Sequence, residues 1–219
     1  MNGGQEAHEG SRKSLPVLAP EAKEMLIQYY RGLRSTHGEG HAAAGWRSPE
    51  SQSLRLEQLT QIGDLNGRDV LEVGSGLGDF YPLLQSRFPE VRYSGVDIVP
   101  ELVEAARQRF PELSFECRDI LQQPLERTYD YVLISGVFNY AIPGATDFLK
   151  ALTRAAFDKA QVALGFNFIS TYVNFSEAEF AYHDPCVVLE HCLQQLSRKT
   201  TMFHHYMRAD VCVFVYRTT

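Results

Sequence analysis

No stretch of this 219-residue sequence reaches the roughly 18 apolar residues that a membrane-crossing helix needs. The first residues, MNGGQEAHEGSRKSLP, also lack the apolar core of a secretory signal. Cysteine is scarce. Cys117, Cys186, Cys192 and Cys212 contain no CxxC pair and match no zinc spacing, so the expectation is free thiols in a reducing compartment. Basic runs are missing too: 21 Lys and Arg stand against 27 Asp and Glu, a formal net charge of −6. That balance argues against a nucleic-acid or anionic-membrane partner, which would demand a basic face. A cytoplasmic protein is expected, and the oligomeric state stays open.

What is present fits a globular domain, with 44% hydrophobic and 22% charged residues. Three parts are expected: a disordered tail over 1–18, an N-terminal helical segment over 19–64 and a core over 65–219. Pro20 suits a first helical turn, and Leu26, Tyr29, Tyr30 and Leu33 fall on one helical face. Residues 35–46, STHGEGHAAAGW, read as a loop, and a second helix over 49–62 aligns Leu56, Leu59 and Ile62.

From residue 68 strands and helices alternate. RDVLEVG, RYSGVDI, LSFECRD, YDYVLISG and QVALGFNFIS read as strands, separated by helices except between the third and fourth. Thr146 is expected to cap the helix before the fifth strand. Asp184-Pro185 opens another helix, with Leu189, Cys192, Leu193 and Leu196 on one face. TTMFHHY and DVCVFVYR follow, three residues apart, too close for a parallel crossover, so they pair antiparallel. The expected fold class is α/β: a Rossmann-like three-layer α/β/α sandwich on a mostly parallel seven-stranded sheet with an antiparallel last strand.

The first strand runs into Glu72-Val73-Gly74-Ser75-Gly76-Leu77-Gly78-Asp79. Its GxGxG spacing differs from the dinucleotide fingerprint GxGxxG, whose third glycine would stand at 79. Asp79 there would repel a pyrophosphate, which disfavours an NAD-dependent dehydrogenase. Glu72 is placed to attract an ammonium group. Asp97, at the end of the second strand, can accept from both hydroxyls of a ribose. Asp119-Ile120 ends the third strand, and Ser135-Gly136-Val137-Phe138-Asn139-Tyr140 ends the fourth.

Taken in order, VLEVGSGLG, GVDI, CRDIL and YDYVLISG resemble motifs I to IV of the class I S-adenosylmethionine-dependent methyltransferases. The resemblance covers roughly residues 49–217 and implies a cofactor, S-adenosyl-L-methionine, with a small-molecule methyl acceptor. It implies that Glu72, Gly74, Ser75, Gly76 and Gly78 line the methionine end, that Asp97 and Ile98 hold ribose and adenine, that Asp119 and Ile120 contact the base, and that Ser135 and Gly136 close the site. It also implies that the N-terminal helices, with Tyr30, His37 and Trp46, act as a lid. The competing readings are an RNA or protein methyltransferase and a non-catalytic cofactor-binding member. The fourth strand lacks the Asn/Asp-Pro-Pro-Tyr signature of amide- and adenine-nitrogen methylation.

Methyl transfer needs alignment, and a general base if the acceptor carries a proton. His37 and His41, in HGEGH, are the expected base candidates, with Tyr140 beside the acceptor. A metal pair at their i, i+4 spacing is the weaker reading, since the segment is too rich in glycine for a firm helix. Tyr30, Trp46, Phe138 and Tyr140 are candidates to face a sulfonium. Residues 166–184 read equally as an acceptor wall or as packing. His204 and His205 are expected on opposite faces of a strand, and Asp184 as a cap rather than a catalyst.

Overall fold

A computed structural model describes residues 18–38 and 40–218. Seven strands form one sheet: β1 (Asp69–Val73), β2 (Arg92–Asp97), β3 (Ser114–Cys117), β4 (Tyr129–Ile134), β5 (Ala160–Ile169), β6 (Thr200–Phe203) and β7 (Asp210–Tyr216). Their order is β3-β2-β1-β4-β5-β7-β6. β1 to β5 pair in parallel, and β7 runs antiparallel between β5 and β6. The expected antiparallel last strand is therefore found.

Alternation along the strands sends residues to two covered faces. Leu71, Val73, Val132 and Ile134 meet α5 (Ala145–Phe157) and α6 (Pro185–His191) in one cluster. Val70, Tyr93, Tyr131 and Leu133 meet α2 (Pro49–Leu59), α3 (Tyr81–Arg87) and α4 (Pro100–Arg109) in the other. The parallel strands are buried on both sides, so they read as nearly continuous apolar runs.

Several local expectations are corrected. α1 spans Pro20–His37, so Ser35, Thr36 and His37 are helical rather than loop. The helix stops at Gly38, whose φ of 68° no other residue type adopts easily and whose N–H donates to the Arg34 carbonyl. A short 3₁₀ turn, His41–Ala44, follows between Gly40 and Gly45, both at positive φ. The 1–18 tail falls almost wholly outside the described residues, but Leu18 is described and buried, in a cluster with Ala22 and Leu26. Thr146 is not a cap. α5 starts from Gly144 in the left-handed region without a side-chain cap, and the Thr146 hydroxyl lies 3.2 Å from Nδ1 of His183.

Asp184 does cap α6, accepting from the Cys186 N–H at 2.8 Å. The buried face there is Pro185, Val188, His191 and Cys192, while Leu193 is exposed. A π-turn over Cys192–Leu196, closed by Ser197 N–H donating to the Cys192 carbonyl, breaks the 3.6-residue period on which the expected face was drawn. His204 and His205 lie past the end of β6 and are exposed, so the strand-face argument for them lapses. No helix among the described residues is long and apolar enough to cross a membrane.

Candidate functional site

A cavity opens at the carboxyl ends of β1, β2, β3 and β4, where parallel strands leave a crevice. At the first strand Gly74, Gly76 and Gly78 all take positive φ, but for different reasons. A Cβ on Gly74 would collide with Val137, and one on Gly78 would sit 2.9 Å from Phe115. These two glycines let the loop pack against its neighbours. A Cβ on Gly76 would meet nothing within 4 Å, because that position faces the cavity. Gly78 does not line the cavity, contrary to expectation, since it is turned toward Phe110 and Phe115. Gly78→Ala should lower stability by about 1–3 kcal/mol, from overpacking added to left-handed strain. Denaturant unfolding would check this.

Asp97 is buried, and its carboxylate accepts from the N–H groups of Gly76 at 2.8 Å and Val99 at 2.9 Å. Burial pushes its pKa up, against the pull of those amides and that of Ile98. The side chain thus clasps the glycine loop to β2, a role its spacing alone does not reveal. Glu72 is also buried and accepts from the Tyr93 hydroxyl. Burial raises its pKa to about 8, Asp79 and Asp97 add to the rise, and the Tyr93 hydrogen bond opposes it. No cation pairs with Glu72 among the described residues.

Asp79 is held by Arg109 from α4 and by Gln52 Nε2 at 3.2 Å from α2. Asp119 bonds Lys23 of α1 at 2.8 Å and accepts from the Leu121 N–H at 3.0 Å. Ile98 and Ile120 line the wall beside them. The Ser75 hydroxyl is buried at this wall without a hydrogen-bond partner.

The second half of the cavity lies past β4 and β5. Gly136 donates its N–H to Oδ1 of Asn167 at 2.8 Å, and Asn167 Nδ2 is 3.5 Å from Ser135 Oγ. Sequence reasoning missed Asn167, although one amide inside the apolar run VALGFNFI is a signal that something polar needs support. Trp46 packs on Gly136, where a Cβ would be 2.8 Å from its ring. Arg55 lies over the Trp46 ring at 5.2 Å and bonds Asp210. Tyr140 stacks on Tyr29 at 3.9 Å, and Tyr29 meets Tyr30 edge-on. Burial pushes the Tyr30 phenol well above its ordinary value. Ile169, Phe175 and Phe180 line this half, so part of segment 166–184 is a cavity wall.

Of the expected site residues, the structure brings Tyr30, Trp46, Glu72, Gly74, Ser75, Gly76, Asp97, Ile98, Asp119, Ile120, Ser135, Gly136 and Tyr140 to one cavity. It does not bring His37 or His41 there. His37 is exposed at the end of α1 because the helix runs on past Arg34, and His41 begins the 3₁₀ turn beyond Gly40. Phe138 is likewise turned away, into the core against Phe148 and Phe166. His183 is structural, 2.9 Å from the Phe138 carbonyl through Nε2, with its pKa lowered by burial.

Residues 70–157, which span the glycine loop and the first four strands, match the family model described as a methyltransferase domain. Over that stretch the chain is similar to methyltransferase domains. Among curated relatives, malonyl-[acyl-carrier protein] O-methyltransferase of Acetivibrio thermocellus is 34% identical over 137 residues, covering 60% of this chain and 47% of that one. The chain thus spans about half of that enzyme's length. A Mycobacterium tuberculosis protein classed as a methyltransferase is 27% identical over 152 residues, 67% of this chain and 91% of its own. Magnesium protoporphyrin IX methyltransferase of Synechocystis, solved with bound S-adenosylhomocysteine, superposes with a TM-score of 0.65 at 18% identity, covering 90% of this chain and all of that one. That likeness speaks to the fold. In this chain the glycine loop, Asp97 and Asp119 lie along three neighbouring strand ends.

Proposed function

We propose that the chain binds S-adenosylmethionine across the ends of β1, β2 and β3 and transfers its methyl group to a small molecule held past β4. The observation that carries this reading is Gly76: left-handed, open to the cavity, with its N–H fixed by Asp97. A bare backbone bend of that kind admits a ligand where any side chain would stand in the way. Glu72, buried without a cation, suits the ammonium of the cofactor's amino-acid end. The unpartnered Ser75 hydroxyl offers a donor beside it. Asp97 keeps lone pairs for ribose hydroxyls, and Ile98 and Ile120 form apolar walls for a base.

The bound cofactor supplies a methyl group on positively charged sulfur. The protein's part is alignment and exclusion of water. Trp46 and Tyr140 close the acceptor half, and the Tyr29–Tyr140 stack ties α1 over it, as a lid would be tied. Holding two reactants in attack geometry contributes up to about 7–11 kcal/mol toward the barrier. An acceptor presented on a carrier protein is the second reading, favoured by the A. thermocellus relative. A cytoplasmic setting fits both.

Titration calorimetry tests the proposal. S-adenosylmethionine and S-adenosylhomocysteine should bind and NAD should not. Gly76→Val should weaken both by about tenfold or more, since its side chain would fill the open position. Binding of NAD in place of S-adenosylhomocysteine would end this reading.

A further inference from the structure

The acceptor half is short of bases. Among the described residues that line the cavity there is no His, Cys or Lys. The carboxylates that line it all belong to the other half and are committed. Asp97 holds backbone amides, Asp79 holds Arg109 and Gln52, and Asp119 holds Lys23 and the Leu121 amide. Glu72 already carries its proton near neutral pH. Tyr29 and Tyr30 are neutral phenols whose pKa values burial raises further, so neither can act as a phenolate. The charged side chains past β4 are Arg47 and Arg55.

Arg55 is the better placed of the two. Its Nε donates to Oδ2 of Asp210, its Nη1 donates to the carbonyl and hydroxyl of Ser51, and its plane lies over Trp46. Asp210 is fully buried and also accepts from Tyr206. The guanidinium is thereby fixed at the wall, with Nη2 making no hydrogen bond among the described residues. Arg47 pairs with Glu177 at the mouth, over Phe180.

We infer that the methyl acceptor is an organic acid that reacts as its carboxylate, carried on an apolar body and oriented by Arg55. This rests on the proposed methyl transfer and names its substrate class. An alcohol or an ammonium must lose a proton to attack. The ionisable groups of this half are the phenols of Tyr29, Tyr30 and Tyr140 and two guanidinium groups, with no imidazole, amine, thiol or carboxylate among them to take it. A carboxylate has none to lose at neutral pH. One of its oxygen lone pairs forms the O–CH₃ bond as the S–CH₃ bond breaks, and the electron pair of that bond stays on sulfur. The products are a methyl ester and a neutral thioether, with no proton released. Ile169, Phe175 and Phe180 suit an apolar body.

The test uses the full chain and methyl-labelled S-adenosylmethionine. Octanoate and 3-phenylpropionate are offered, each beside the alcohol and the amine of the same skeleton. Label is expected in the acids only, and alkali should release it as methanol, which ethers and methylamines do not do. With S-adenosylmethionine saturating, so that Glu72 does not enter through cofactor affinity, the rate with octanoate should stay flat from about pH 6 to pH 9, because no base in the acceptor half titrates. As a readout apart from turnover, protein loaded with S-adenosylhomocysteine should bind octanoate at least tenfold more tightly than octanamide. The double variant Arg55→Gln/Asp210→Asn, which leaves no lone buried charge, should lose that preference while still binding S-adenosylhomocysteine. Alkali-stable label, label in an alcohol or amine, or no preference for octanoate over octanamide with S-adenosylhomocysteine binding intact would overturn the inference alone. Failure to bind S-adenosylhomocysteine would overturn the methyltransferase reading and this one with it.

Discussion

Asp97→Ala should weaken S-adenosylmethionine binding by at least 100-fold. Two effects add. Hydrogen bonds from ribose hydroxyls to a carboxylate are charge-assisted and worth roughly 1.5–3 kcal/mol each. The same carboxylate accepts from Gly76 and Val99, and without it these buried amides lose their acceptor. The loop that forms the open bend at Gly76 then loses its clasp to β2. Each orphaned buried donor costs about 1–3 kcal/mol, so the unliganded protein should lose about 2–5 kcal/mol of stability as well. Denaturant unfolding of the free protein and calorimetry with the cofactor separate the two contributions. Asp97→Asn should fall between, since its single oxygen serves only part of the amide set. A variant that lost stability but bound S-adenosylmethionine within threefold of the parent would reduce Asp97 to a loop clasp.

What the sequence made legible was whatever is local and periodic. The order of strands follows from apolar runs between helices, and the short connection before β7 forces its reversal whatever the rest of the chain does. The cavity wall was legible for the same reason. Gly76, Asp97, Asp119 and Gly136 sit at strand ends, and parallel strands bring their ends together.

Side-chain direction was not legible. Three glycines at equal spacing look alike in sequence, yet only Gly74 and Gly76 border the cavity, because Gly78 yields to Phe110 and Phe115 from elements 30 or more residues away. His37 and His41 looked well placed in a glycine-rich stretch, but the helix runs to His37 and carries its ring away into solvent. The Arg55–Asp210 pair, 155 residues apart, follows no motif. It exists because α2 packs over the end of β7, a contact fixed by apolar surface rather than by charge pattern.

The cavity's two halves differ in their electrostatics, and the difference follows from this packing. At β1 to β3 four acids line the wall: two are answered by Arg109 and Lys23, Asp97 is answered by backbone amides, and Glu72 by a phenol. A cationic ligand therefore meets surplus negative potential there, and the field weakens once that ligand gives up its charge. Past β4 the lining charges are guanidinium groups, Arg55 backed by Asp210 and Arg47 by Glu177. An arrangement of this kind favours a cation in one half and offers the remaining N–H groups of Arg55 to an anion in the other, and transfer of a methyl cation equivalent would neutralise that pair of ligand charges.

Glu72 turns that surplus into a measurable proton. Its folded pKa, about 8, lies above the unfolded value of 4.5, so between those limits the folded state binds more protons than the unfolded one. Stability of the free protein should fall as pH rises from about 4.5 to 8, on the order of 3–5 kcal/mol in all, and level off above. Glu72→Gln should be more stable than the parent at pH 8, lose this slope, and keep a partner in the Tyr93 hydroxyl, which donates to the amide oxygen as it does to the carboxylate. Binding works in the opposite sense. A cation beside Glu72 favours the carboxylate, so the parent should release a proton when S-adenosylmethionine binds and bind more tightly as pH approaches 8. Calorimetry in buffers of different ionisation enthalpy counts that proton. For Glu72→Gln the count should fall to zero and the affinity at pH 8 should drop about tenfold or more, as one charge-assisted hydrogen bond is lost. Equal proton release from parent and variant would place the ammonium away from Glu72 and leave its buried carboxyl to Tyr93 alone.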